Sequence, residues 1–226
     1  PDVTSLVQQV VNTSGWCGNN SIAFFIEPQS GNSLRTAFSL DEGDSLQPTL
    51  TVTYSGGNSG CLNPIIEATV NAPKDDAYQQ ANDVVILDGN SIPVSTDRFG
   101  ARFTAVPLKQ GATILDAQVI LTPANTVNSA SVSTNVRFEQ SDSAPPFAGS
   151  DNNISNRSEA GGSTCTINNW ITGTPFTCSQ AGIKTGLQGV INRSGWTPGN
   201  AIAMTFTQSS TSTLLAQAYE SNPGQA

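Results

Sequence analysis

The sequence predicts an all-β protein, an antiparallel, jelly-roll-like β-sandwich with one short amphipathic helix per repeat. Three observations carry that prediction. Short alternating apolar runs are bounded by Gly and Pro. Only 12% of residues are charged, while Ser and Thr supply 50 of 226, so the surface is wetted by hydroxyls and amides rather than ions. An internal repeat is present, and each copy holds one helical pattern.

The repeat fixes the domain organisation. Residues 10–23 (VVNTSGWCGNNSIA) align without gaps on residues 190–203 (VINRSGWTPGNAIA), with eight of fourteen positions identical at an offset of 180. Before each Trp, apolar residues recur at helical spacing: Val3, Leu6, Val7, Val10 and Val11, then Ile183, Leu187, Val190 and Ile191. Each helix should feed an S-G-W turn and then a strand, at 21–26 and 201–206. The first copy ends in Thr49, Leu50, Thr51, Val52, Thr53 and Tyr54, a clean period-2 strand after Pro48. Residues 1–54 therefore read as the C-terminal half of one sandwich repeat and 55–61 as a Gly/Ser-rich linker. Residues 62–226 read as a nearly complete second repeat lacking its last strand. A half sandwich exposes its core face and an open edge, so completion by neighbouring copies of the repeat is expected, with the 49–54 strand as the assembly strand.

Within the second repeat, strands are expected at 65–70 and 84–87. Three further strands should place Ala101, Phe103 and Ala105, then Leu115, Ala117, Val119 and Leu121, then Val132, Thr134, Val136 and Phe138 on one face each. Residues 139–164, rich in Ser, Asn, Asp and Gly, read as a long surface loop.

The string Phe99-Gly100-Ala101-Arg102-Phe103, the segment 108–114 (LKQGATI), the Trp170 region, the helix, the S-G-W turn and the T-L-T-V-T-Y strand together resemble the DNRLRE-type domains. These are secreted bacterial β-sandwiches, related to carbohydrate-binding modules, that recur in tandem in surface and extracellular proteins. The resemblance spans about 65–226 and again 1–54. It implies a sandwich fold and an extracellular, non-enzymatic role, with polysaccharide binding as the alternative. Only Arg102 stands where the namesake members carry an Arg-rich string.

Charge and chemistry narrow the function classes. Net charge −8 argues against nucleic acid as partner, and no apolar run approaches the ~20 residues of a membrane helix. The chain has no His and no G-x-S-x-G elbow, which removes the usual general base and nucleophile arrangements, so no enzymatic activity is expected. Cys17, Cys61, Cys165 and Cys178 have no metal-ligand spacing and predict two disulfides in an oxidising, extracellular compartment. Of three possible pairings, Cys165–Cys178 with Cys17–Cys61 is favoured, each loop of such size being worth about 3 kcal/mol. Carboxylates at Asp75, Asp76, Glu139 and Asp142, with Asp83, Asp88, Asp151 and Asn153 nearby, are candidate ligands for a structural Ca²⁺. The alternative reading makes them solvated loop acids. Trp16 and Trp196 occupy equivalent repeat positions and read as packing residues. Trp170, between two cysteines, is the candidate stacking platform for a glycan. Sequons occur at Asn12, Asn19, Asn153, Asn156 and Asn192.

Overall fold

The computed structural model describes residues 2–13, 16, 21–26, 50–53, 65–94, 98–128, 131–208 and 213–221. The chain separates into two units, Pro1–Ile66 and Glu67–Ala226. Cys17, Cys61, Thr49, Tyr54 and the 55–61 linker lie outside the described residues.

The second unit is an antiparallel sandwich. Its strands are β1 (Asp76–Gln79), β2 (Val85–Ile86), β3 (Ser91–Pro93), β4 (Arg98–Phe103), β5 (Val119–Leu121), β6 (Val132–Glu139), β7 (Glu159–Ile167), β8 (Phe176–Cys178), β9 (Ile202–Gln208) and β10 (Leu215–Gln217). One layer is a six-stranded sheet in the order β2-β1-β4-β9-β6-β7. The facing layer contains the ladders β10-β3 and β5-β8, joined through a bridge between Pro123, just past β5, and Ala216 of β10. Between the layers lie Phe99 and Ala101 of β4, Val132, Val136 and Phe138 of β6, Ile202, Met204 and Phe206 of β9, and Ile92, Val119 and Ala216 from the other side. Phe99 and Phe206 stack with centroids 4.1 Å apart. The strict alternation of burial along β6 is what its sequence pattern predicts for a strand with one face on a core.

Helix α2 (Ala181–Ile191) buries Ile183, Gly186, Val190 and Ile191. It lies tight against the β6–β7 pair. A Cβ on Gly186 would sit 2.3 Å from a Phe138 ring carbon and 2.8 Å from Gly162 N, and one on Gly182 would sit 2.1 Å from Gly162 O. Glycine on both surfaces is what allows this approach.

The 139–164 reading needs correction. Residues 159–167 form β7, with a register shift opposite Val136 and Phe138 that places Gly161 and Gly162 at φ +64° and +93°. Such a bulge hides the strand from a period-2 search. Residues 140–158 do connect β6 to β7, but Ala144, Phe147 and Ile154 are buried. With Ala77, Val85, Ala201 and Ala203 they form a second apolar cluster on the outer face of the large sheet. Phe147 takes the space that a side chain at Gly100 would fill.

Other expectations also shift. No strand forms at 65–70, where only Val70 is buried. The run through Leu115 is strand only at Val119–Leu121, and Leu115 is exposed. Ala105 leaves β4 altogether with φ +52°.

In the first unit, helix α1 (Thr4–Val11) is shorter than α2 and buries only Val7, but it ends as α2 does. Both helices end with Gln four residues before Asn, the Gln amide donating to the Asn side chain at 2.8 Å in α1 and 2.9 Å in α2. Trp16 N–H bonds to Thr13 O, as Trp196 N–H does to Arg193 O. The sequence repeat is therefore a structural repeat at the described residues of the helix end and at the Trp. Beyond it the copies part. Residues 21–26 and the described assembly-strand residues Leu50, Thr51, Val52 and Thr53 belong to no ladder, contrary to the two strands predicted there. The equivalent of 21–26 in the second unit, β9, is held between β4 and β6, whereas no described residue of 1–54 pairs with 21–26 in a ladder.

Candidate functional site

Three of the four proposed calcium ligands are held by arginines. The Asp75 carboxylate pairs with Arg102, whose Nε also donates to Ala144 O at 2.8 Å and so ties the 140–158 connection to the entry of β1. Glu139 pairs at 2.5 Å with Arg157, and both side chains are almost wholly buried. Arg157 further donates to Pro145 O, Pro146 O and Asn153 O, with its guanidinium 4.1 Å above the Phe147 ring. Asp142 accepts from Arg193 at 2.6 Å. These are bonds of the fold itself, and they leave those carboxylates spoken for. The set Asp75, Asp76, Glu139 and Asp142 does not converge. Among the described residues no group of three or more His, Cys, Asp or Glu is placed to hold a metal ion.

The glycan platform is also corrected. Trp170 is fully buried, its Nε1–H donating to Asn125 Oδ1 and to Leu215 O at 3.0 Å each, while its backbone bridges Val127. A ring walled in this way has no face for a sugar. Trp196 is buried too and donates to Leu108 O at 2.8 Å. Tyr78 and Tyr219 pack partly against the core. Two shallow depressions, of about 330 and 290 Å³, are lined by polar groups such as Glu139, Asp151 and Asn156 in one, and Gln80, Asp83 and Thr207 in the other. Neither has an aromatic wall.

The disulfide Cys165–Cys178, with Cα atoms 5.8 Å apart, joins β7 to β8. It thus links an outer strand of one layer to an outer strand of the other, a staple across the sandwich.

Asp76 has a different environment from the other acids. It sits on β1, is 5% exposed, and its Oδ2 accepts the Tyr219 N–H at 2.9 Å. Its Oδ1 is buried with no donor, as are both carboxylate oxygens of Glu220, the next residue along from Tyr219. No Lys or Arg among the described residues pairs with either acid, whereas Arg98, Arg102, Arg157 and Arg193 pair with others. Burial pushes the Asp76 carboxyl up to about 6, against the Tyr219 N–H bond that lowers it, and the Glu220 and Asp75 charges add to the rise. Burial also raises Glu220, with Asp88 adding. A folded pKa above the unfolded one means the fold holds that proton more tightly. This contribution to stability is present below the unfolded value of 3.8 and is lost as pH rises through about 6. Above that pH the fold carries the buried Asp76 charge with no Lys or Arg among the described residues paired to it. Glu220 escaped the sequence reading because it is brought to Asp76 only by the fold, across 143 residues to its neighbour Tyr219, and nothing in its local A-Y-E-S-N context marks it.

No helix among the described residues is long and apolar enough to cross a membrane. Compared with models of known protein families and with curated proteins, the chain matches none.

Proposed function

We propose that the chain is a non-enzymatic, extracellular structural module, a repeating unit of a fibre, matrix or surface adhesin whose half-sandwich is completed by pairing with a neighbouring repeat. The carrying observation is a contrast between the two copies. In β9, Met204 and Phe206 are 4% and 1% exposed, whereas the residues at the same repeat positions, Phe24 and Ile26, are 42% and 94% exposed. Leu50 and Val52 of the assembly strand are half exposed as well. A strand written with core residues, beginning from the same helix and turn, calls for flanking strands from elsewhere. The DNRLRE-type resemblance supports a tandem, secreted setting, and the Cys165–Cys178 disulfide fits an oxidising compartment. Glycan binding loses its platform with Trp170 buried.

Electron microscopy of the purified chain, together with intact mass of its dissolved subunit, tests this. Filaments or chains with an axial repeat near one domain length are expected. A monodisperse monomer at all concentrations would overturn the proposal.

A further inference from the structure

Given the assembly proposed above, on which this rests, we propose that the open edge of β5 and the run before it, residues 115–121, accepts residues 49–54 of a second copy of this chain as an added strand. On one side β5 pairs with β8 through Val119, Ile120 and Leu121. On the other side β10 reaches the chain only past β5, where Gln217 N–H donates to Thr122 O and Ala124 N–H to Leu215 O. Alternate residues of an extended strand turn their main-chain groups the same way, so those of Ile120, Gln118 and Asp116 point to the β10 side as Thr122 does. Among the described residues no ladder covers them there: β10 ends at Gln217, and the Tyr219 N–H turns to Asp76. Leu115, Asp116, Ala117 and Gln118 make no hydrogen bond among the described residues. The other parity faces the core. Val119 is buried and Ala117 packs against the core, yet Leu115, on the same face, is 60% exposed. A core-facing leucine left in solvent beside unpaired backbone marks a place for one more strand. Residues 49–54 (TLTVTY) suit that place. They carry no charge, Leu50 and Val52 share one face and are about half exposed, and 50–53 belong to no ladder. Added beside 115–121, the strand would lay Leu50 and Val52 over Leu115 and Ala117 and turn Thr49, Thr51 and Thr53 to the hydroxyl-rich exterior.

The probe is a labelled synthetic peptide of residues 47–55, titrated by fluorescence anisotropy onto the full chain carrying Leu50→Asp and Val52→Asp, whose own strand cannot compete. Saturable binding is expected. In that host Gln118→Pro removes the main-chain N–H and blocks the edge, and it should weaken binding at least about ten-fold, as should Leu115→Asp. Gln118→Ala keeps the N–H and should bind like the host. Urea midpoints establish that each variant is folded, and if Gln118→Pro is not, Leu115→Asp decides alone, its side chain being largely in solvent. In the otherwise unaltered chain, Gln118→Pro and Leu115→Asp should each abolish filaments. No saturable binding, or binding that Gln118→Pro and Leu115→Asp leave intact, would overturn this edge even where filaments form and the polymer stands. An unaltered chain that stays monomeric, while its Leu50→Asp, Val52→Asp variant takes up the peptide, would mean that each chain fills the edge with its own strand. That result would overturn the second-copy occupant and the polymer together.

Discussion

Arg157 shows how single residues carry this fold. Its side chain is 6% exposed and its guanidinium meets a carboxylate, three main-chain carbonyls and the face of Phe147. Truncation to alanine would leave Glu139, 10% exposed, as an uncompensated buried charge and would open space beside Phe147. Arg157→Ala should therefore destabilise the second unit by about 3–5 kcal/mol in urea unfolding. The double variant Glu139→Gln, Arg157→Met should recover part of that loss, because it removes both charges together. If the single variant were near neutral, the pair would be solvated rather than buried. The sequence placed Glu139 among metal ligands for an understandable reason. Acids that are close along the chain are visible, but the cations that fold onto them, 18 residues away for Arg157 and 27 for Arg102, are not. Trp170 failed similarly, since a Trp between cysteines reads the same whether its indole N–H meets water or Asn125.

At the scale of elements, the seating of α2 separates two glycines that look alike in sequence. Gly189 has nothing within 4 Å of an added Cβ, whereas Gly186 faces Phe138 and Gly162. Alanine is the better helix former by up to about 1 kcal/mol, so Gly189→Ala should stabilise by up to that amount. At Gly186 the same change forces the helix off the strand pair and should destabilise by about 1–3 kcal/mol. Opposite signs in urea midpoints would establish the close contact, and two stabilising substitutions would contradict it. What was legible among the elements follows from their surroundings. The β6 pattern could be read because one face meets the core and the other does not. Helix α2 could be read because its apolar stripe is continuous. By contrast, β7 contains two glycines and a bulge. The 140–158 connection hides Ala144, Phe147 and Ile154 in polar sequence, because it covers a second face of a sheet whose first face had already explained the alternation. At the repeat position of Gly186 the first copy has Leu6, which is 54% exposed. A partner that completes the first copy must therefore seat its helix farther out than β6 and β7 seat α2.

For the whole molecule, the proposed linear assembly rests on a difference between the two units. The second unit builds its own core: two layers around a common interior, a second cluster outside the large sheet, and a disulfide across the layers. The first unit repeats its helix and turn but leaves Phe24, Phe25, Ile26, Leu50 and Val52 to solvent. Exposed apolar residues on segments without ladder partners are the features that strand addition consumes, through main-chain bonds for affinity and alternate side chains for register. Leu50 and Val52 lie two apart and so share one face of a strand, and aspartate at both positions should remove the burial that drives pairing. Leu50→Asp with Val52→Asp is expected to abolish filaments in electron micrographs. Because these side chains contribute nothing to the core of the second unit, its unfolding free energy should stay within about 0.5 kcal/mol of the parent. Filaments that persist in the double variant would mean that assembly uses another edge. A marked loss of stability in the second unit would mean that the 49–54 strand already belongs to a folded core, and the need for a neighbouring repeat would disappear with it.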